Sequence, residues 1–360
     1  MKQSSLSHRE RVLLALEHKE TDRIPIGMVC SGINSPAREI FETWLVKERG
    51  VSLNDYLNPL LDVENIWPPL KRTPLPDGYD IWGVHRSAVA NSSGGSYDEI
   101  DYFPLAKAET LDDLKKHAWP SSDWFDYAAL PGIVKTMRKQ DNQSLIVYCG
   151  NIFETSWYMR GFERMFMDCI DEPEFAHALM DTVCDFYIEH ATRILSAVPG
   201  EIDLVFTADD IAGQKGLLMS LDMWEEFIKP RHVRLNRRIH ELGARVIYHS
   251  DGAVMEAVPG LIDMGIDILQ ALQFDAAGMD PVELKQKYGD RLCFEGGVSV
   301  QKTLPFGSAD DVRAEVARLS RVLGAGGGYI LGPSHVIQAG TPPENIAALF
   351  DEAARPRKSQ

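Results

Sequence analysis

The chain has 360 residues, 53 of them acidic and 37 basic, and its formal charge of −16 argues against nucleic acid and anionic membranes as partners. A hydrophobic fraction of 44% supports a large core, either one α/β barrel or two ordinary domains. No apolar run approaches the ~20 residues of a membrane helix, and the polar, charged stretch 1–11 does not read as a signal peptide. The five cysteines (Cys30, Cys149, Cys169, Cys184, Cys293) are odd in number, far apart and free of any C-x-x-C pair. A disulfide framework is therefore not expected, a reducing cytoplasm is, and the simplest thiolate zinc site is absent.

Residues 5–18 open the chain with a capping box, Ser7 with Glu10, and an amphipathic helix. A first strand is expected over 24–29, with its C-terminal loop at 31–34, followed by a helix over 37–48. The stretch 56–96 is irregular and rich in Pro, Trp and Gly, including Pro74 and residues 91–95. Within it 79–84 is expected to pair with 97–102 as a hairpin. An aromatic-bearing insertion of this kind, spanning 56–103, is either a lid or interface, or an elaboration covering the barrel's end.

From residue 145 the pattern becomes regular. Helices at 111–117 and 127–138 precede a buried strand at 145–149. The stretch 150–161 then places Glu154, Trp157, Tyr158 and Arg160 directly after that strand, as substrate-binding candidates. Helices at 162–170 and 174–196 lead to a strand at 203–207 that ends in Asp209 and Asp210. A helix over 224–242, with a gap at Pro230, leads to a strand at 246–248 that ends in His249, Ser250, Asp251 and Gly252. Further strands are expected at 268–272, ending at Gln273, at 291–294, ending at Glu295, and at 329–331, ending at His335. Helices at 257–264, 281–288, 309–323 and 342–354 separate and follow them. The glycine run 324–328 precedes a strand, so it is a turn and not a phosphate cradle.

Alternating strands and helices demand a parallel sheet. Seven strands over roughly 250 residues fit an eight-stranded (β/α)8 TIM-type barrel, preceded by a helical and hairpin elaboration, better than an open sheet. The eighth strand has no clear counterpart in the sequence. No G-x-G-x-x-G follows the first strand and no G-x-S-x-G elbow occurs, so dinucleotide binding and acyl-transfer hydrolysis lack support. In a barrel the strand-end groups converge on one mouth. His249 and Asp251 are two apart and point the same way on an extended chain, which makes half of a divalent metal site. The plain alternative is a strand end in which Asp251 accepts backbone N–H groups and His249 is a satisfied core residue. Asp209 or Asp210 could equally cap a helix.

The stretches RERVLLALEHKETDRIP at 9–25, HSDG at 249–252, GDRLCFEGG at 289–297, GGGYIL at 326–331 and TPPENIAAL at 341–349 resemble the uroporphyrinogen decarboxylase superfamily, and within it the cobalamin-linked methyltransferases. The resemblance covers nearly the whole chain as one domain, 1–360. It implies a zinc site of the form His-x-Cys plus a distant Cys. Here His249 keeps its place, Asp251 stands at the first Cys, and His335 falls at or near the second. Both replacements are themselves ligands, so the implied site is zinc or another divalent metal on His249, Asp251 and His335, with Glu295 or Asp210 as a further ligand. The arginine-rich stretch MRQAGR of the decarboxylases is replaced by MVCSGINSP at 28–36.

The resemblance thus implies an enzyme that moves a methyl group between a small methylated substrate and the corrinoid of a separate partner protein. His249, Asp251 and Asp210 would be catalytic, and Glu154, Trp157, Tyr158, Arg160, Asp209 and Gln273 would bind substrate. With no thiolate pair, the expectation leans toward oxygen-methyl substrates such as aryl methyl ethers. A homodimer is admitted but not required. The alternatives are a decarboxylase, in which Asp209 or Asp210 stabilises a protonated pyrrole-like intermediate, and a non-catalytic binding protein.

Overall fold

The computed structural model describes residues 6–71, 75–90, 95–140 and 142–357; Ser5, Pro74 and residues 91–94, singled out above, lie outside them. Seven parallel strands hydrogen-bond in chain order: Val63–Asn65, Ser144–Asn151, Leu204–Ala208, Arg245–His249, Ile268–Gln270, Cys293–Val298 and Tyr329–Pro333. The expected first strand closes the ring. Gly27 N donates to Leu331 O at 2.9 Å and Leu331 N to Pro25 O at 2.8 Å on one side, and Asp62 N donates to Ile26 O at 2.8 Å on the other. Eight segments therefore surround one axis, as in an α/β barrel. The closing segment is thin because Pro25 has no N–H and Ile26 N goes to the Asp62 carboxylate at 2.7 Å instead of a backbone carbonyl.

The missing eighth strand is Val63–Asn65. It lies inside the stretch read as irregular, and three residues are too few for alternation to show. Period-two geometry sets the two faces of each strand. Val63, Ile146, Phe206, Ile247, Ile268 and Ile330 pack together as the lumen core, and Val12 of the helix His8–Leu16 joins them, plugging the end opposite the mouth. That helix has the expected capping box. It is pinned at the lower rim by Arg11, whose guanidinium reaches the fully buried Asp62 at 2.6 Å, and by Arg9 on Asp203 at 2.9 Å.

Two local expectations are corrected. The helix over 224–242 is two, Leu221–Phe227 and Lys229–Glu241, with Pro230 starting the second, where its missing N–H costs nothing. The hairpin pairs His85–Ala90, not 79–84, with Ser96–Tyr102. Residues 80–84 instead form a turn, because the Asp80 carboxylate accepts from Trp82 N and Val84 N at 2.9 and 3.0 Å. Trp82 is buried against Phe186, with ring centroids 4.9 Å apart, so it anchors the insertion and does not cover the mouth. Among the described residues all five cysteines are free, and no helix is long and apolar enough to cross a membrane.

Candidate active site

The alternation that puts Phe206, Ile247 and Ile268 in the lumen also puts Tyr148, His249, Gln270 and Glu295 there, one or two steps nearer the mouth. His249 is buried at the end of its strand. The chain then turns through Ser250 and Asp251 to Gly252, whose φ of +88° and close approach to Gly213 O (2.5 Å from where a Cβ would sit) admit only glycine. This turn brings Asp251 back over His249. The His249 Nε2, Asp251 carboxylate and His335 imidazole ligand atoms all lie within 4.8 Å of one another. His249 Nε2 stands 4.0 Å from Asp251 Oδ1, and His335 Nε2 stands 3.7 Å from Asp251 Oδ2.

Asp210 completes the rim. Its Oδ1 accepts from Asp251 N at 2.8 Å and lies 3.6 Å from His249 Nε2. Burial raises the Asp251 carboxyl above its ordinary range, helped by the Asp210 charge and opposed by the two histidines. Asp251 Oδ1 is buried with no hydrogen-bond partner. Two imidazoles and a carboxylate with one unsatisfied oxygen, gathered within 4.8 Å, are the donor set of a zinc-like divalent ion.

Glu154, at the start of the helix Ile152–Arg160, accepts from Asn151 Nδ2 at 2.8 Å and from Tyr158 Oη at 3.1 Å. Burial, with the nearby Asp210 and Asp209 charges, pushes its carboxyl up to about 8. The hairpin's Arg86 lies over the Tyr158 ring at 5.0 Å. Trp157 packs on Tyr158 and Phe162 with ring centroids 4.3 and 5.3 Å away.

Four expected site residues are committed elsewhere. Asp209 is fully buried; it accepts from Glu154 N at 2.8 Å and contacts His232 Nε2 at 2.7 Å, so it caps the helix of the preceding βα unit and cannot bind substrate. Arg160, two turns past the strand end, is buried on Asp168 at 2.6 Å and on the carbonyls of Leu105 and Ala108. It clamps the segment just after the insertion, at Leu105 and Ala108, to the barrel. The Gln273 amide oxygen accepts from Gly252 N at 3.0 Å and Gln214 Nε2 at 2.9 Å, which holds the Asp251 turn from behind. Glu295 is not part of the ligand cluster. It lies fully buried in the lumen wall below Val29, whose N–H reaches its Oε1 at 3.4 Å, and burial pushes its carboxyl up to about 8.

Gln270, Tyr148, Phe206 and Cys30 were not singled out from sequence. Gln270 pairs directly with His249 across the sheet, so strand register was the signal that would have found it. Trp67, Tyr148 and Phe206 form a wall of rings, with centroids 5.0 and 4.5 Å apart and planes tilted by 28° and 31°, leading to His249 at 5.7 Å. Cys30 N donates to Tyr148 Oη at 2.9 Å. Burial and the surrounding carboxylates of Asp251, Glu154, Asp210 and Glu295 push its thiol up to about 12, so it is no ready nucleophile.

The chain is 28% identical to a methylated-thiol–coenzyme M methyltransferase of Methanosarcina mazei over 197 residues, about half of each chain (54% of this one, 49% of that one). It is 28% identical to the methylcobamide:CoM methyltransferase MtaA of Methanosarcina barkeri over 96% of this chain and 97% of that one. A solved methyltransferase from Methanosarcina mazei superposes with a TM-score of 0.70 at 19% identity, covering 97% of this chain and 98% of that chain, and so shares the fold. Residues 101–355 match the uroporphyrinogen decarboxylase (URO-D) family, to which this chain therefore belongs.

Proposed function

We propose that the chain is a corrinoid-dependent methyltransferase, moving a methyl group between a small methylated compound and the corrinoid of a separate protein. The observation that carries this reading is the convergence of His249, Asp251 and His335, with Asp251 Oδ1 left unsatisfied. The named methyltransferase relatives support it. A divalent metal held by these three residues would act as a Lewis acid on the heteroatom that loses or gains the methyl group.

The chain's own groups do the rest. Asp210 holds the Asp251 turn and faces the same point. Glu154, whose carboxyl holds its proton up to about pH 8, offers a proton at the acidic side of the mouth. The ring wall of Trp67, Tyr148 and Phe206 supplies a flat apolar face, and the insertion 56–103, in one domain with the barrel, flanks the mouth through Trp67 and Arg86. A carboxylate in place of thiolate is a harder donor, so an oxygen-bound methyl, and an aryl methyl ether in particular, suits the site better than a thioether.

The decarboxylase reading keeps only Asp210 as a charge stabiliser, because Asp209 is sealed off, and residues 28–36 carry no arginine to meet a porphyrinogen's carboxylates. The experiment is to purify the protein without chelator, measure bound metal, and incubate it with cob(I)alamin and a panel of aryl methyl ethers and thioethers. One metal per chain and methylcobalamin formation with an ether are expected. Carbon dioxide release from uroporphyrinogen, with no bound metal and no methylcobalamin, would overturn the proposal.

A further inference from the structure

We infer that Gln270 is the positioning residue that fixes His249 with its hydrogen on Nδ1 and its bare Nε2 at the mouth, through an amide oriented by Val29 and Glu295. This deepens the metal-site reading above, but its core, the tautomer of one imidazole, stands without any metal.

His249 and Gln270 are register partners on adjacent parallel strands, and both side chains enter the lumen. Both are buried. His249 Nδ1 makes a short hydrogen bond to Gln270 Oε1, while Gln270 Nε2 donates to Val29 O at 2.8 Å. The amide faces the Glu295 carboxyl as well. A flipped amide would put its oxygen against the Val29 carbonyl, which can only accept, and would aim its NH2 at His249. The unflipped amide gives the Val29 carbonyl its donor, so its oxygen is held toward His249. An amide oxygen only accepts, and the Nδ1 of a neutral imidazole facing it must therefore carry the hydrogen. Nε2 is then left as the lone-pair nitrogen, and it is the nitrogen that faces Asp210 and Asp251. This is the geometry by which a hydrogen bond at one ring nitrogen selects the ligating state of the other.

A neutral acceptor suits this position. A carboxylate would also accept the Nδ1 hydrogen, but it would place a negative charge at a fully buried position. The arrangement explains why Glu295, expected as a ligand, sits behind the cluster: it helps orient the amide.

The test uses the full chain with 15N-labelled histidine, assigned with a His249→Gln control. Long-range proton–nitrogen correlation on metal-free protein at pH 8 reads the His249 tautomer, and Co2+ titration followed by visible absorption reads affinity. Wild type is expected in the Nδ1–H form. Gln270→Met, similar in length but a poor acceptor, is expected to move His249 substantially toward Nε2–H and to weaken Co2+ binding by about 10–100-fold. Gln270→Glu, which still accepts, is expected to restore the Nδ1–H form. An Nε2–H wild type, or a Gln270→Met tautomer unchanged at matched melting temperature, overturns the inference. If Gln270→Met does not fold, wild type and Gln270→Glu still decide it, because an Nε2–H form in either one overturns it. A wild type in the Nδ1–H form that binds no Co2+ supports the positioning role and overturns the metal reading instead.

Discussion

Asp209 and His232 form a fully buried pair, Oδ2 to Nε2 at 2.7 Å, and the other oxygen of Asp209 holds Glu154 N at 2.8 Å. One carboxylate thus ties the helix Lys229–Glu241 to the first turn of the helix Ile152–Arg160. Removing one partner leaves the other polar and buried. Asp209→Ala is expected to destabilise by about 3–5 kcal/mol, read by urea denaturation. A variant of unchanged stability that has lost only activity would show that Asp209 meets substrate after all.

Metal content should follow the cluster. His249→Ala, Asp251→Ala and His335→Ala are each expected to purify with little or no bound metal, whereas Arg160→Lys and Trp157→Phe retain the wild-type amount. The check is elemental analysis at matched circular dichroism. Equal, near-zero metal in wild type and all variants, with activity intact, would leave His249 and Asp251 as substrate-binding groups.

Glu295 makes stability depend on pH in a stated direction. Its folded carboxyl is pushed up to about 8 by burial, above the 4.5 of an ordinary glutamate. Between these values the folded state holds a proton that the unfolded state has released. The contribution is therefore complete below about pH 4.5 and is lost as pH rises through 8, by at most about 1.4 kcal/mol per pH unit. Glu295→Gln should flatten that limb of a stability–pH curve and be the more stable protein at pH 8.5. A wild-type curve that rises from pH 5 to 8, or a variant with the same slope as wild type, refutes the assignment.

Arg160 clamps the segment just after the insertion by binding the carbonyls of Leu105 and Ala108 while paired with Asp168. Arg160→Met is expected to cost about 3–5 kcal/mol and to open the 103–110 stretch to limited proteolysis before the barrel is cut. Simultaneous cleavage everywhere would mean that the clamp holds the whole fold and not that segment.

Much of this protein is legible in its residues. The apolar runs ending in polar clusters at 145–151, 203–210, 246–252, 268–273, 291–297 and 329–335 specify the strand–helix alternation, because buried parallel strands need continuous apolar segments. The spacing of His249 and Asp251, together with the family resemblance that implies His335 as the distant ligand, named the cluster that the structure brings within 4.8 Å. The three-residue strand Val63–Asn65 left no readable period, and its pairing depends on partners 81 positions away (Asn65 with Ile146).

What only the tertiary structure decided is the direction and neighbourhood of each polar side chain. Asp209 and Asp210 are adjacent in sequence, yet one is sealed under a helix and the other faces the mouth, since successive residues leaving a strand point to opposite sides. Arg160 shares a short helix with Glu154 but lies about 9 Å further along the axis, at 1.5 Å per residue, and so meets the segment after the insertion instead of the mouth. Gln270 gained its role from register alone, by standing beside His249 on the next strand. A residue's type sets what chemistry it can do, whereas closure of the ring determines which group it faces.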